Sequence, residues 1–246
     1  MTRHLHSMFL ALVAVLWCGA TPAQQCLLPQ SIGTPVLKPA ADPNLSKTDY
    51  YAFVLSWSPE HCETRRNDAA HAFQCQLNAK NFDFVVHGLW PQSAIARNSK
   101  EHPRNCKAGK SLTPELLKKH LCTVPGVDLM QNEWQAHGTC GWDTPSQYFD
   151  TIEKQWSTYK RPRYEDLVKA GRVEKRGLIL KVSDIKDAFV AVNDNKLRSD
   201  NSAVTVASGN YFREMWICLD LDFQPASCRG QGTKDSQVIS VRPIYR

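Results

Sequence analysis

The chain has 246 residues with a formal net charge of +6; 42% of its residues are hydrophobic and 22% charged, an ordinary globular balance. That composition excludes a disordered chain, a collagen and a coiled coil, and the length fits one compact domain within the usual upper range of about 250 residues.

Residues 1–23 begin with Arg3, His4 and His6, continue as an apolar run from Met8 to Trp17, and end in small residues at Ala23. This is the pattern of a secretory signal peptide cleaved after Ala23, and the run falls short of the roughly 20 residues a spanning helix needs. A lipid anchor on Cys18 is disfavoured by the bulky Trp17 before it. The sequence therefore predicts a secreted or periplasmic protein with no membrane anchor. Cleavage removes only Arg3 among the basic residues and Cys18 among the nine cysteines, leaving an even eight. Even and secreted implies disulfides, with Cys62, Cys75, Cys106, Cys140, Cys218 and Cys228 among the bonded residues. Proximity pairs Cys62 with Cys75 and Cys218 with Cys228; the partners of the others, including Cys26 and Cys122, stay open. The cysteines lack the close pairs of a zinc site, so zinc is discounted; no cofactor is expected.

Residues 24–48 carry Pro29, Pro35, Pro39 and Pro43 without periodicity and are expected to form an extended lead-in. The folded domain is expected over 49–246. Residues 51–57 and 82–87 are aromatic and β-branched and predict strands. In the second strand Phe82, Phe84 and Val86 share one face, and Asp83, Val85 and His87 the other. Thr113-Pro114-Glu115 is a helix start, repeated at Thr144-Pro145. After the second, Tyr148, Phe149, Ile152, Trp156 and Tyr159 recur at helical spacing as a core stripe. Basic residues are dense between Lys154 and Lys181, where a solvated surface explains them as well as a polyanion site does. Residues 183–192 predict a helix opening on a Ser183 cap, and residues 203–207, 215–223 and 238–241 predict strands. Helices and strands mixed without βαβ alternation indicate an α+β fold.

Two segments carry chemistry. His87-Gly-Leu-Trp-Pro91 ends a predicted strand, with Gly88 and Pro91 expected to force a turn. In Asn132-Glu-Trp-Gln-Ala-His-Gly-Thr-Cys140 a helix would put Glu133 and His137 on one face and stop at Gly138. Taken singly, each His is more readily structural or solvated than catalytic. The zincin His-Glu-x-x-His pattern, the Gly-x-Ser-x-Gly elbow and the phosphate-binding Gly-Lys-Ser/Thr loop are all missing, and the cysteines are spoken for. Acid–base chemistry by two histidines and a carboxylate is what survives.

These two segments resemble the active-site segments of the ribonuclease T2 family, secreted acid-type ribonucleases of broad specificity. Phe53-Val-Leu-Ser-Trp57, Tyr148-Phe149 and Glu214-Met-Trp-Ile-Cys-Leu219 extend the likeness from about Tyr50 to Cys228. The resemblance implies a single α+β domain with a central antiparallel sheet flanked by helices, stapled by disulfides and needing no metal. It implies an endoribonuclease acting on single-stranded RNA, with His137 as general base, His87 as general acid and Glu133 assisting at the phosphoryl centre. Because the 2′-hydroxyl is the nucleophile, the product is a 2′,3′-cyclic phosphate and DNA is not cleaved. Trp90 falls where the family stacks a base, although a buried structural Trp reads equally well. A monomer is expected.

The chain departs from the family pattern at Asn132 and Ala136, where His and Lys are usual. Asn132 still offers a neutral hydrogen bond to substrate, whereas Ala136 offers none. Gln92 replaces a common Asp, so base preference does not carry over. With fewer cations nearby His87 protonates more easily, and the acid limb of activity is expected at higher pH than in relatives that keep both. Two other readings stay open: a catalytically weakened relative that binds RNA or a protein partner through the same cleft, and an unrelated disulfide-stapled binding domain.

Overall fold

The computed structural model describes residues 26–39, 41–175 and 177–244. The expected signal peptide lies outside the described residues. Among those residues no helix is long and apolar enough to cross a membrane.

Seven strands form one sheet in the order β2-β1-β6-β7-β4-β3, with β5 paired to β6. They are β1 (Tyr50–Trp57), β2 (Phe84–Gln92), β3 (Arg172–Glu174), β4 (Gly177–Lys181), β5 (Ser202–Ala207), β6 (Tyr211–Leu219) and β7 (Val238–Val241). The pairings are antiparallel except for a single parallel contact, Tyr211 with Ser240, which joins β6 to β7. The α+β reading holds, with that one mixed junction added. The helices are α1 (Ser58–Cys62), α2 (Pro114–His120), α3 (Val127–Ala136), α4 (Pro145–Thr158), α5 (Tyr164–Ala170) and α6 (Val182–Val192).

Helix starts follow their caps. Thr113 Oγ1 accepts from the Leu116 amide, and Thr144 and Gln147 form a reciprocal capping box at the head of α4. The Ser183 cap is a correction: α6 begins one residue earlier, and the Asp184 carboxylate accepts from the Lys181 amide at 2.7 Å. The strand expected over 215–223 starts earlier and stops at Leu219, because Asp220 accepts the Phe223 amide in a turn that places Phe223 at a φ of 61°. The alternating acids Asp220 and Asp222 mimic a strand where the chain turns.

One sheet face carries Phe53, Leu55 and Trp57 of β1, Phe84, Val86 and Leu89 of β2, and Met215 and Ile217 of β6. Leu117, Met130, Tyr148, Phe149, Ile152 and Phe189 pack on it from the helices, so the core lies between that face and the helical layer. The opposite face stays accessible and carries the polar chemistry. In the basic run, Lys169 and Arg163 pair with Asp166, Arg172 pairs with Glu174, and Arg161 lies over the Trp156 ring, which gives it a local structural explanation.

Four disulfides staple the domain: Cys26–Cys122, Cys62–Cys75, Cys106–Cys140 and Cys218–Cys228. Among its described residues the lead-in has no helix or strand, yet it is tied down. Beyond the bond to Cys122, the Val36 amide donates to Asp128, Lys38 exchanges two backbone hydrogen bonds with the Gln135 side chain, and Asn44 bridges to Arg104. It forms a strap along α3.

Candidate active site

His87 does not end its strand. β2 runs on through Gly88 and Pro91 to Gln92, correcting the expected turn. Val54 faces Gly88 and Leu55 faces Val86, so His87 is the extra residue of a β-bulge. The bulge decides the site. In a regular strand residues 87 and 90 would point to opposite faces; the inserted residue puts both on the accessible face, where their rings lie 5.0 Å apart. It also turns Leu89 onto the core face, where the Tyr148 hydroxyl donates to its carbonyl. A second bulge, at Arg213 in β6, turns Glu214 and Trp216 towards the same accessible face.

The second segment arrives from the helical layer. α3 presents Glu133 from its last turn, and His137 follows at the point where the helix breaks. The helix ends at Ala136 and Gly138 opens a short 3-10 turn, where a Cβ would lie 2.4 Å from Trp134. Gly88 is needed on the same grounds: its Cβ would fall 2.0 Å from the Glu133 carboxylate. The two motifs therefore interlock through a glycine, with the Glu133 carboxylate in the space that a side chain would fill.

His87 Nδ1 is 2.8 Å from Glu214 Oε1 and His87 Nε2 is 3.6 Å from Glu133 Oε1. The Trp90 indole donates to Glu133 Oε2 at 2.7 Å, and its ring stacks on His137 at 5.3 Å and 27°. Trp216 closes edge-on against Trp90. Glu214 is held by Thr205 at 3.0 Å, by Trp216 Nε1 at 3.3 Å and by Arg213 at 3.4 Å.

These surroundings drive the two imidazoles apart. Burial alone would lower the pKa of His87, but the hydrogen bond to Glu214 and the charges of Glu133 and Glu214 outweigh it, and the pKa rises. Among the described residues His137 has no carboxylate partner. Burial, reinforced by the charges of Arg104, His87 and His102, brings it down to about 3. Glu133 is raised by burial, whereas Glu214, despite burial, is held at about 2 by the His87 hydrogen bond and charge. Two imidazoles shifted in opposite directions thus share a cleft of about 390 Å³ lined also by Trp90, His102, Arg104 and Glu133. Such a pair suits one group to give a proton and the other to take one.

Three of the site residues read from the sequence, His87, Glu133 and His137, come together with Trp90. Asn132 does not join them; it lines an adjoining cavity beyond His137, with its buried Oδ1 unpartnered. Sequence reasoning missed the positions of Glu214, Trp216, His102 and Arg104. For Glu214 a signal existed, an acid inside an apolar strand motif, but nothing local linked it to His87. The cleft opens on its other side into a larger cavity shared by His87, His61, Arg65 and Trp216, so a groove passes the imidazole pair.

The site thus lies in a disulfide-stapled α+β domain that brings two histidines of opposite pKa shift together around a carboxylate. Residues 48–228 match the model of the Ribonuclease T2 family, and the chain belongs to that family. A "Probable ribonuclease" of Haemophilus influenzae is 32% identical over 191 residues, 74% of this chain and 62% of that protein. The match thus spans somewhat under two thirds of that relative's length. The fold is shared with an RNase-related protein from Calystegia sepium (TM-score 0.61, 19% identity, covering 80% of this chain and 98% of that one). It is also shared with RNase NT, solved in complex with 5′-AMP (TM-score 0.59, 19% identity, 81% and 100%).

Proposed function

We propose that the protein is a secreted or periplasmic endoribonuclease that cleaves single-stranded RNA by transphosphorylation, leaving 2′,3′-cyclic phosphate ends. The mature domain would begin after Ala23 and act as a monomer. His137, neutral through burial and nearby cations, takes the proton from the 2′-hydroxyl as that oxygen attacks phosphorus. His87, kept protonated by Glu214, gives a proton to the departing 5′-oxygen. Glu133, fixed by the Trp90 indole beside His87, faces the phosphoryl centre, where its raised pKa suits it to hydrogen-bond a phosphorane oxygen. Trp90 and Trp216 offer aromatic surface to a base. DNA has no 2′-hydroxyl and is spared.

The observation that carries this reading is the opposite tuning of two imidazoles that share one cleft. Membership of the family and the groove on both sides of the pair support it. An intact acid–base pair also favours catalysis over a weakened, binding-only role, despite Asn132 and Ala136. The test is digestion of single-stranded RNA by the purified mature protein in EDTA, with the product ends identified. Cyclic phosphate ends, and no cleavage of DNA of the same sequence, are the expected result; intact RNA at acidic and neutral pH would overturn the reading.

A further inference from the structure

Beyond His137 lies a second cavity, of about 650 Å³, between the strap at residues 37–39 and 41–43 and the end of α3. It shares Arg104, Glu133 and His137 with the catalytic cleft, so the two spaces meet at the proposed base. The strap wall lies outside the span matched by the family model, which starts at residue 48.

Its charge is distinctive. α3 has no basic residue in its last turn, and the nearest acids, Glu133 and Glu214, add negative charge where a phosphodiester must enter. Three cations face this region from other segments: Lys107, which is paired with Asp143 at 3.2 Å, and Arg104 and Lys38. Arg104 is held by paired backbone hydrogen bonds with Asn44 at 2.8 and 3.0 Å, and its neighbour Asn105 donates to the Ala136 carbonyl at 2.9 Å. The Cys106–Cys140 disulfide ties the same loop to the turn after His137. Lys38 is brought to the cavity by the strap: its backbone amide and carbonyl bond the Gln135 side chain at 3.2 and 3.0 Å, leaving the ammonium free to reach in. Among the described residues, neither Arg104 nor Lys38 has an ion-pair partner. Leu37, Pro39 and Pro43 supply apolar surface beside them, suited to the carbon face of a ribose.

We propose that this cavity is an RNA-backbone subsite, in which Lys38 of the N-terminal strap and Arg104 bind a phosphodiester adjoining the one that is cleaved. This rests on the ribonuclease reading and adds to it a reason for the strap. A chain segment folded along α3 supplies charge that the helix itself lacks, and substrate must extend past His137 to use it.

The test measures binding of a 2′-O-methyl 12-mer, which cannot be cleaved, to the full mature chain over a range of salt. Lys38→Gln removes a charge while leaving the strap's backbone bonds in place. It is expected to weaken binding roughly 2- to 5-fold at 0.1 M salt. It should also reduce the slope of log affinity against log salt by about 0.7, the value for one phosphate contact to a single strand. Lys38→Arg should restore both, and Lys118→Gln, the same charge change on exposed α2, should alter neither. Unchanged affinity and slope in Lys38→Gln, or equal losses in Lys118→Gln, would overturn the subsite. Cleavage of the corresponding RNA 12-mer by the wild type is scored separately, so loss of the nuclease reading is told apart from loss of this one.

Discussion

Glu214 Oε1 sits 2.8 Å from His87 Nδ1, joining residues 127 positions apart in the sequence. The carboxylate orients the ring, leaving Nε2 turned towards Glu133 and the cleft, and its hydrogen bond and charge raise the imidazole pKa. Replacing Glu214 by Gln retains an acceptor but removes the charge. The His87 pKa should fall, and the alkaline limb of kcat/KM should move down with it. Imidazole NMR titration together with a pH–rate profile checks this, and an unmoved limb would count against it.

The wild-type profile has a fixed sign. With His137 as the proposed base, activity climbs as pH passes its pKa of about 3; with His87 as the proposed acid, activity declines as pH passes its raised pKa. An Ala136→Lys substitution puts a cation one residue from His137 and three from Glu133. It should lower the His87 pKa and draw the declining limb to lower pH. Superimposable profiles for the variant and the wild type would show that the missing cation does not tune this site.

Removing either imidazole tests the division of labour. His87→Ala and His137→Ala should each reduce kcat/KM by about 10² to 10⁴. For His87→Ala the loss should shrink on substrates with a good leaving group, such as a nitrophenyl phosphodiester of uridine, which needs little acid assistance. For His137→Ala it should not. Equal losses on both substrates in His87→Ala would remove it as general acid.

Gly88→Ala should damage the site more than the fold. The added methyl meets the Glu133 carboxylate at 2.0 Å and Trp90 Nε1 at 2.6 Å, so both must shift or the strand must move. Overpacking of this kind costs about 1 to 3 kcal/mol. A folded variant with a modestly lower Tm and greatly reduced kcat is expected; full activity would show that Glu133 has room to relax.

The Cys26–Cys122 bond spans 96 residues and anchors the strap. Replacing both cysteines by Ser should lower stability by about 2 to 5 kcal/mol, read as a drop in Tm. Because the strap positions Arg104 through Asn44, affinity for longer RNA should fall as well. Unchanged affinity at temperatures where the variant is folded would separate the strap's anchor from substrate binding.

Much of the fold was legible locally. Thr-Pro steps mark α2 and α4 because a side-chain cap and a fixed φ act within one helical turn, and the stripe Tyr148, Phe149 and Ile152 is core as its spacing requires. The cysteine count announced disulfides, and sequence proximity found the two short loops. His87, Glu133 and His137 were marked by two motifs whose order along the chain is visible without coordinates. Tertiary structure decided the rest. The bulge at His87 arises from pairing with β1, and without it the strand's alternation places Trp90 on the wrong face. Glu214 meets His87 only because β6 lies on the far side of β1 from β2. Arg104 and Lys38 reach the site through the Asn44 bridge and the Gln135 side chain, contacts between segments about 60 and 97 residues apart. Local periodicity reports which way a side chain faces within its own element. It carries nothing about which distant charge will fix a ring's protonation once water is excluded, and here that charge separates the acid from the base.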